Sequence, residues 1–179
     1  MRKFLKAYLF SSLCLLFLAA WYLRPKEQVQ EELRPKGNLV EQKIPSLQMF
    51  YYLDKYSTEY KVPMQIAMGI ANSETGYLGP FHWTYKHDQT SHKGAEGPMQ
   101  IMPSTAAMLL KRKVSRHELR EDIELNVRVS MQLMSHLYRT YGNWTLALGA
   151  YNTGKPVSNN YAREIILRSK QKVSRIKRT

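Results

Sequence analysis

The sequence predicts a mostly α-helical domain carried behind an N-terminal membrane segment. Three observations predict this. Apolar residues recur at three- and four-residue spacing through several stretches after Ser46, no stretch alternates convincingly in strand fashion, and the chain opens on a basic cluster followed by an uncharged apolar run. At 179 residues and 44% hydrophobic, with 12 Tyr and 3 Trp, the chain can build one core plus an anchor or tail. No internal repeat is visible. The net charge of +13 favours an acidic partner: nucleic acid, an anionic membrane face or an acidic polymer.

The elements follow in order. Arg2, Lys3 and Lys6 precede the uncharged stretch Ala7–Leu23, at the short end of the roughly 20 residues that cross a bilayer. Trp21 and Tyr22 fall where an interfacial belt would lie. An uncleaved inner-membrane anchor is the favoured reading, and positive-inside logic leaves the N-terminus in the cytoplasm. The alternative is a cleaved signal that releases the chain to the periplasm, although Leu18 is poor at the outer position before a cut after Ala20. Either way the remainder is exported. Cys14, the lone cysteine, forms no intramolecular disulfide, and Leu13 before it argues against lipidation. Residues 24–45 are polar, with Pro25, Pro35, Gly37 and Pro45, and read as a linker.

A helical domain is then expected over 46–168. Leu47, Phe50, Tyr51, Leu53 and Tyr56 give a first helix. Pro63 opens a second that carries Ile66, Ala67, Ile70 and Ala71 and stops near Gly76. Residues 80–98 read as a long irregular loop. Pro103 opens a short helix. Asp122 caps the longest one, with Ile123, Val127, Met134, Leu137 and Tyr141 on one face and Gly142 as its stop. Asn143 caps the small-residue helix that follows, and Asn160–Leu167 gives the last. The tail to Thr179 carries Arg168, Lys170, Lys172, Arg175, Lys177 and Arg178, and reads as a solvated basic end.

Four segments stand out within this domain: Asn72-Ser-Glu-Thr-Gly-Tyr77, Gly94-Ala-Glu-Gly-Pro-Met-Gln-Ile-Met-Pro103, Asp122-x-x-x-Asn126 and Ala150-Tyr-Asn-Thr-Gly154, closed by Tyr161-Ala-Arg-Glu-Ile-Ile166. In this order they resemble the catalytic domain of soluble lytic transglycosylases, lysozyme-like relatives of goose-type lysozyme. The resemblance spans roughly 46–168. Thr75 stands where that family has Ser, Tyr77 replaces Phe, Pro98 replaces Leu, and the segment between Glu74 and Gln100 is longer than usual.

The resemblance implies cleavage of the MurNAc–GlcNAc β-1,4 bond of peptidoglycan, with a 1,6-anhydromuramoyl product. It implies Glu74 as the sole catalytic carboxylate, acid first and then base on the sugar's own 6-hydroxyl. A helix end and apolar burial would both raise the Glu74 pKa, as a general acid near neutral pH requires. Thr75 is expected to orient Glu74 or touch sugar. Met99 and Gln100 are expected to line the groove, Tyr151 and Asn152 to face the acid across it, and Tyr161 to bind substrate or serve the scaffold. Asp122 and Asn126 read as scaffold: a helix cap and a buried polar contact.

His82, His87, Asp88 and His92 match no tight ligand spacing, so no metal is assigned, and no cofactor is expected. Glu96 reads as a solvated glutamate. If Glu96 or Asp88 reached the sugar face opposite Glu74, a muramidase-type hydrolase would be the alternative. A non-catalytic wall-binding or assembly module is the rival from another class. The expected partners are peptidoglycan strands, the cytoplasmic membrane and an envelope-spanning machine, without nucleic acid.

Overall fold

The computed structural model describes residues 44–176, with side chains through Lys170. All belong to the second of two compact units, Met1–Asn38 and Leu39–Thr179. The proposed anchor, most of the linker and the last tail residues lie outside the described residues. Among the described residues no helix is long and apolar enough to cross a membrane.

Seven helices are described. Helix α1 (Pro45–Glu59) starts on Pro45, whose missing amide costs nothing at this position. It buries Met49, Tyr52, Leu53 and Tyr56. Leu53 and Tyr56 are buried as expected, whereas Phe50 and Tyr51 stay exposed and Met49 and Tyr52 take their places on the inner face. Helix α2 (Met64–Thr75) buries Ile66, Ala67, Gly69, Ile70 and Ala71. Pro63 caps it from outside rather than opening it, and its carbonyl accepts the Ile66 and Ala67 amides. Gly76, at φ 71°, ends it in the left-handed conformation, and the amides of Gly76 and Tyr77 turn back to Asn72 and Ala71.

Helix α3 (Pro103–Leu110) is short. Helix α4 (Arg116–Glu121) has no counterpart in the sequence expectation: its mostly charged residues show no apolar period, and Ser115 alone, accepting the Glu118 amide, signals the start. Helix α5 (Ile123–Tyr141) is capped by Asp122, which accepts the Leu125 amide, and closed by Gly142. Helix α6 (Trp144–Thr153) is capped by Asn143 through the Thr145 and Leu146 amides. Helix α7 (Asn160–Ile176) starts under Asn159, whose side chain accepts the Ala162 amide. It runs well past Leu167, so the basic tail is helical for most of its length. Lysine and arginine are good helix formers, and charge alone does not end a helix.

Helix α5 is the spine of the core and packs on both α1 and α6; α7 packs on both α2 and α6. Residues 76–102 contain turns and two isolated antiparallel bridges, Thr90 with Glu96 and Glu96 with Ile101, in place of any strand. The α2–α7 approach depends on Gly69. A Cβ there would lie 2.7 Å from Ile165 Cγ2. Residues 69 and 165 sit about one helical turn from Glu74 and Tyr161, so this contact sets how closely those two side chains meet.

Candidate active site

Glu74 sits in the last turn of α2, half-buried, and its Oε1 accepts a 2.6 Å hydrogen bond from the Tyr161 hydroxyl of α7. Among the described residues, Oε2 has no hydrogen-bond partner and no Lys or Arg pairs with the carboxylate. Burial raises the Glu74 pKa, and the Tyr161 bond partly offsets the rise. The Gly76 and Tyr77 amides bond to the Asn72 and Ala71 carbonyls at the end of α2. Burial and the charge of Glu74 together push the Tyr151 and Tyr161 phenols far up, so both stay protonated hydroxyls. Among the described residues this acid keeps one oxygen without a protein donor, is uncompensated by a cation, and receives its hydrogen bond from a neutral group.

The other expected site residues divide. Tyr151 is near enough to feel the charge of Glu74, but its hydroxyl is committed: it donates to the Met99 carbonyl at 2.7 Å and takes the proton of Ser130 at 2.8 Å. Its ring, rather than its oxygen, is what it can offer. Met99 is fully buried, and its side chain lies in the core rather than on an open groove wall. Its backbone carries the positioning instead, between Tyr151 and Asn126, whose Oδ1 accepts the Met99 amide at 2.9 Å. Asn152 is exposed and accepts from Asn159. The Gln100 side-chain nitrogen donates to the carbonyls of Gln89 and Gly97, so it fastens the loop rather than presenting a free donor.

Thr75 makes no bond to Glu74. Its hydroxyl donates to the Pro98 carbonyl at 2.8 Å and lies 2.8 Å from the Tyr85 hydroxyl. A carbonyl only accepts, so Thr75 gives its proton to Pro98 and receives that of Tyr85. Thr75 therefore ties the turn after Glu74 to the 96–101 wall. Neither Tyr85 nor Ser130 is among the residues expected at the site. Each is an ordinary polar residue in sequence, and only the fold brings it to its partner.

Glu96 corrects the sequence reading most sharply. It is fully buried, not solvated. Its carboxylate accepts from Thr90 Oγ1 at 2.6 Å and from Arg116 Nε of α4 at 2.5 Å. It lies close under the surface, because Arg116, which covers it, is itself 60% exposed. Burial pushes its pKa up, but the Thr90 and Arg116 hydrogen bonds outweigh burial and hold the carboxyl below its ordinary range. It is sealed into the scaffold and faces no sugar. The next residue, Gly97, at φ 73°, would place a Cβ 2.3 Å from the Leu119 carbonyl and 2.6 Å from Asn126 Nδ2. Asn126 is fully buried, and its Nδ2 also donates to the carbonyls of Glu96 and Leu119. It is the buried polar contact expected of it.

Among the described residues no group of three or more His, Cys, Asp or Glu side chains could hold a metal ion. A hollow of about 520 Å³ beside Tyr52 is lined by acids of residues 118–124, away from Glu74. Those acids are engaged: Glu118 with Arg112, Glu124 with Lys55 and Tyr56, and Asp122 as the α5 cap.

A family model described as Transglycosylase SLT domain matches residues 51–173. The chain belongs to this family. The match reaches past Arg168, the expected end of the domain, into the helical extension of α7. Among curated proteins, the chain is 25% identical over 146 residues to membrane-bound lytic murein transglycosylase D of Escherichia coli strain K12, and equally to that of strain CFT073. The alignment covers 78% of this chain and 30% of each relative, so the chain spans about a third of their length. Among solved structures, the 70-kDa soluble lytic transglycosylase of E. coli is 28% identical, with 66% of this chain and 18% of that chain covered and a TM-score of 0.48. An inactive mutant of lytic transglycosylase Slt from Pseudomonas aeruginosa is 24% identical, covering 58% and 16%, again with a TM-score of 0.48.

Proposed function

We propose that this SLT domain is a peptidoglycan lytic transglycosylase with Glu74 as its catalytic acid and base. The observation that carries the reading is the state of Glu74: half-buried, raised in pKa, hydrogen-bonded by a tyrosine and, among the described residues, free of any cation. Family membership and the E. coli relatives support the substrate class.

The protonated Glu74 gives its proton to the glycosidic oxygen as the C1–O bond of the muramoyl residue breaks, and positive charge develops at C1. The resulting carboxylate then takes the proton of the same sugar's 6-hydroxyl while that oxygen bonds to C1. The ring closes as a 1,6-anhydro end, and Glu74 is protonated again. Atoms balance without water. The Tyr161 hydroxyl stabilises the carboxylate between the two halves. A one-carboxylate cycle fits the disposition of Glu96, which is paired and enclosed. Residues 7–23 would tether the domain to the cytoplasmic membrane through the 24–45 linker, with the domain acting on the wall outside.

The test is digestion of purified sacculi. Released muropeptides should lack the mass of one water relative to reducing-end products, and Glu74→Gln should release them at least about 10²-fold more slowly while keeping its helical circular dichroism. Reducing ends would replace the lyase by a hydrolase, and undiminished release by the variant would remove Glu74 from the reaction. Sedimentation with sacculi but no release by the parent chain would leave a wall-binding module.

A further inference from the structure

The loop after the catalytic helix sorts its apolar side chains in two directions. Tyr77 and Tyr85 point inward, almost fully buried, with ring centroids 5.0 Å apart. Leu78, Phe81 and Trp83 point outward and are 72%, 75% and 63% exposed. Phe81 and Trp83 meet at 5.8 Å and 59°, which makes a wedge and not the flat face on which a sugar ring stacks. Three large apolar side chains clustered in the open mark an interaction surface rather than ordinary surface scatter.

The loop is held firmly. Asn72 Nδ2 donates to the Tyr77 carbonyl, and the Tyr85 hydroxyl meets Thr75. Two more bonds locate it. The Ser46 hydroxyl donates to the Pro80 carbonyl at 3.0 Å, and the Tyr77 hydroxyl donates to the Ser46 carbonyl at 2.8 Å. The loop is therefore fastened to the first residues of α1, where the chain arrives from residues 1–43. That arriving chain contains the uncharged Ala7–Leu23 stretch. A flexible linker of the intervening length spans roughly 25 Å. Exposed Lys86, His92 and Lys93 follow the wedge, with Asp88 the one acid between Tyr77 and Ala95.

We infer that the Leu78–Trp83 loop is a second membrane contact of this chain, seating Leu78, Phe81 and Trp83 in the interfacial layer of an anionic bilayer beside the point where the N-terminal segment enters the domain. Trp, Phe and Leu side chains flanked by lysines are the composition that binds this layer, and anionic headgroups attract the lysines. Because the loop is bonded to the turn that follows Glu74, the contact fixes the height and orientation of the acid above the membrane. The inference rests on the tether reading of residues 7–23.

The test uses the full chain with Trp21→Phe and Trp144→Phe, leaving Trp83 as sole reporter, reconstituted in phosphatidylethanolamine vesicles containing phosphatidylglycerol. Flotation with the vesicles tests the tether. Brominated acyl chains should then quench Trp83, acrylamide quenching should fall and its emission should shift to the blue; Leu78→Ser with Phe81→Ser should lose all three effects while still floating. Trp83 that stays fully open to acrylamide on a floating chain overturns the loop contact alone, and a chain that does not float overturns both readings. Trp83 shielded from lipid and acrylamide alike assigns the wedge to a protein surface, and a response to soluble glycan fragments but not to lipid assigns it to substrate; either overturns the inference. Hydrogen exchange of the unsubstituted chain gives the same decision: slowed amides at 78–84 on vesicles support it, and equal exchange with and without vesicles overturns it.

Discussion

Glu74 and Glu96 are both withdrawn from water, and their acidities move in opposite directions. Glu96 is the more completely enclosed, yet it holds its charge. Thr90 and Arg116 fill its oxygens, and these bonds outweigh desolvation. Glu74 keeps some exposed surface but is set deeper in the protein, and among the described residues it has one neutral donor and no cation, so burial prevails. Lack of exposed surface alone does not decide which carboxylate can hand over a proton near neutral pH; depth and the company of its oxygens do so together. Glu96 is paired, and Glu74 is left short.

The largest effect that would break this contrast is at Glu74 itself. Glu74→Gln should lower fragment release from sacculi roughly 10²–10⁴-fold, the usual share of a general acid. The same change should raise Tm at neutral pH. A folded-state pKa lifted above the unfolded one makes the ionised form a cost that is absent below the unfolded pKa and grows as pH rises through the folded one. The Tm gap between variant and parent should therefore close below about pH 4, and a melting series across pH reads it directly.

Next comes the frame around Glu96. Gly97→Ala forces a Cβ into the Leu119 carbonyl at positive φ and should cost roughly 2–4 kcal/mol in urea unfolding. Glu96→Ala should cost about 1–3 kcal/mol by stranding Thr90 and opening the site. Its sign with pH is the reverse of that at Glu74. A depressed pKa contributes stability that is full above the unfolded value and lost as pH falls through the folded value, so parent and Glu96→Ala should converge in acid.

The smallest effect sharpens the contrast from the side of the donor. Tyr161→Phe removes the one bond that lowers the Glu74 pKa. The alkaline limb of the pH–rate profile should move to higher pH, and the rate should fall by roughly tenfold, the scale of one hydrogen bond to a charged group. An unmoved limb would show that Tyr161 does not act on the acid.

Most of the scaffold is legible in the sequence. The caps at Asp122 and Asn143, the stops at Gly76 and Gly142 and the apolar periods of α2 and α5 are local signals, and each lies where the sequence places it. What is illegible is long-range. Tyr161 reaches Glu74 across 87 residues, and the sequence leaves its role divided between substrate and scaffold. Glu96 looks solvated because its neighbours in sequence are polar, while its partner Arg116 sits 20 residues on, in a helix too short and charged to show a period. Met99 reads as a groove residue because its motif borders the groove, but its side chain faces the core. Local chemistry writes elements; pairing between elements writes the site.

The stretch from Gly76 to Ile101 is fastened separately at its two ends. Tyr77 and Pro80 are bound to Ser46 at one end, and Glu96 to Arg116 and Ile101 at the other, with Thr75 bonded to Pro98 across the base. Between them Tyr85 and Gln89 are bonded to Thr75, and Gln89 also to Gln100 and Gly97, so the part that can vary narrows to the 91–94 turn. Residues can be added or removed near the exposed His92–Lys93 tip at small entropic cost, since closure entropy grows only slowly with length, while the acid and its wall keep their register. That makes the tip a place to carry a spectroscopic label or a grafted peptide on the folded domain.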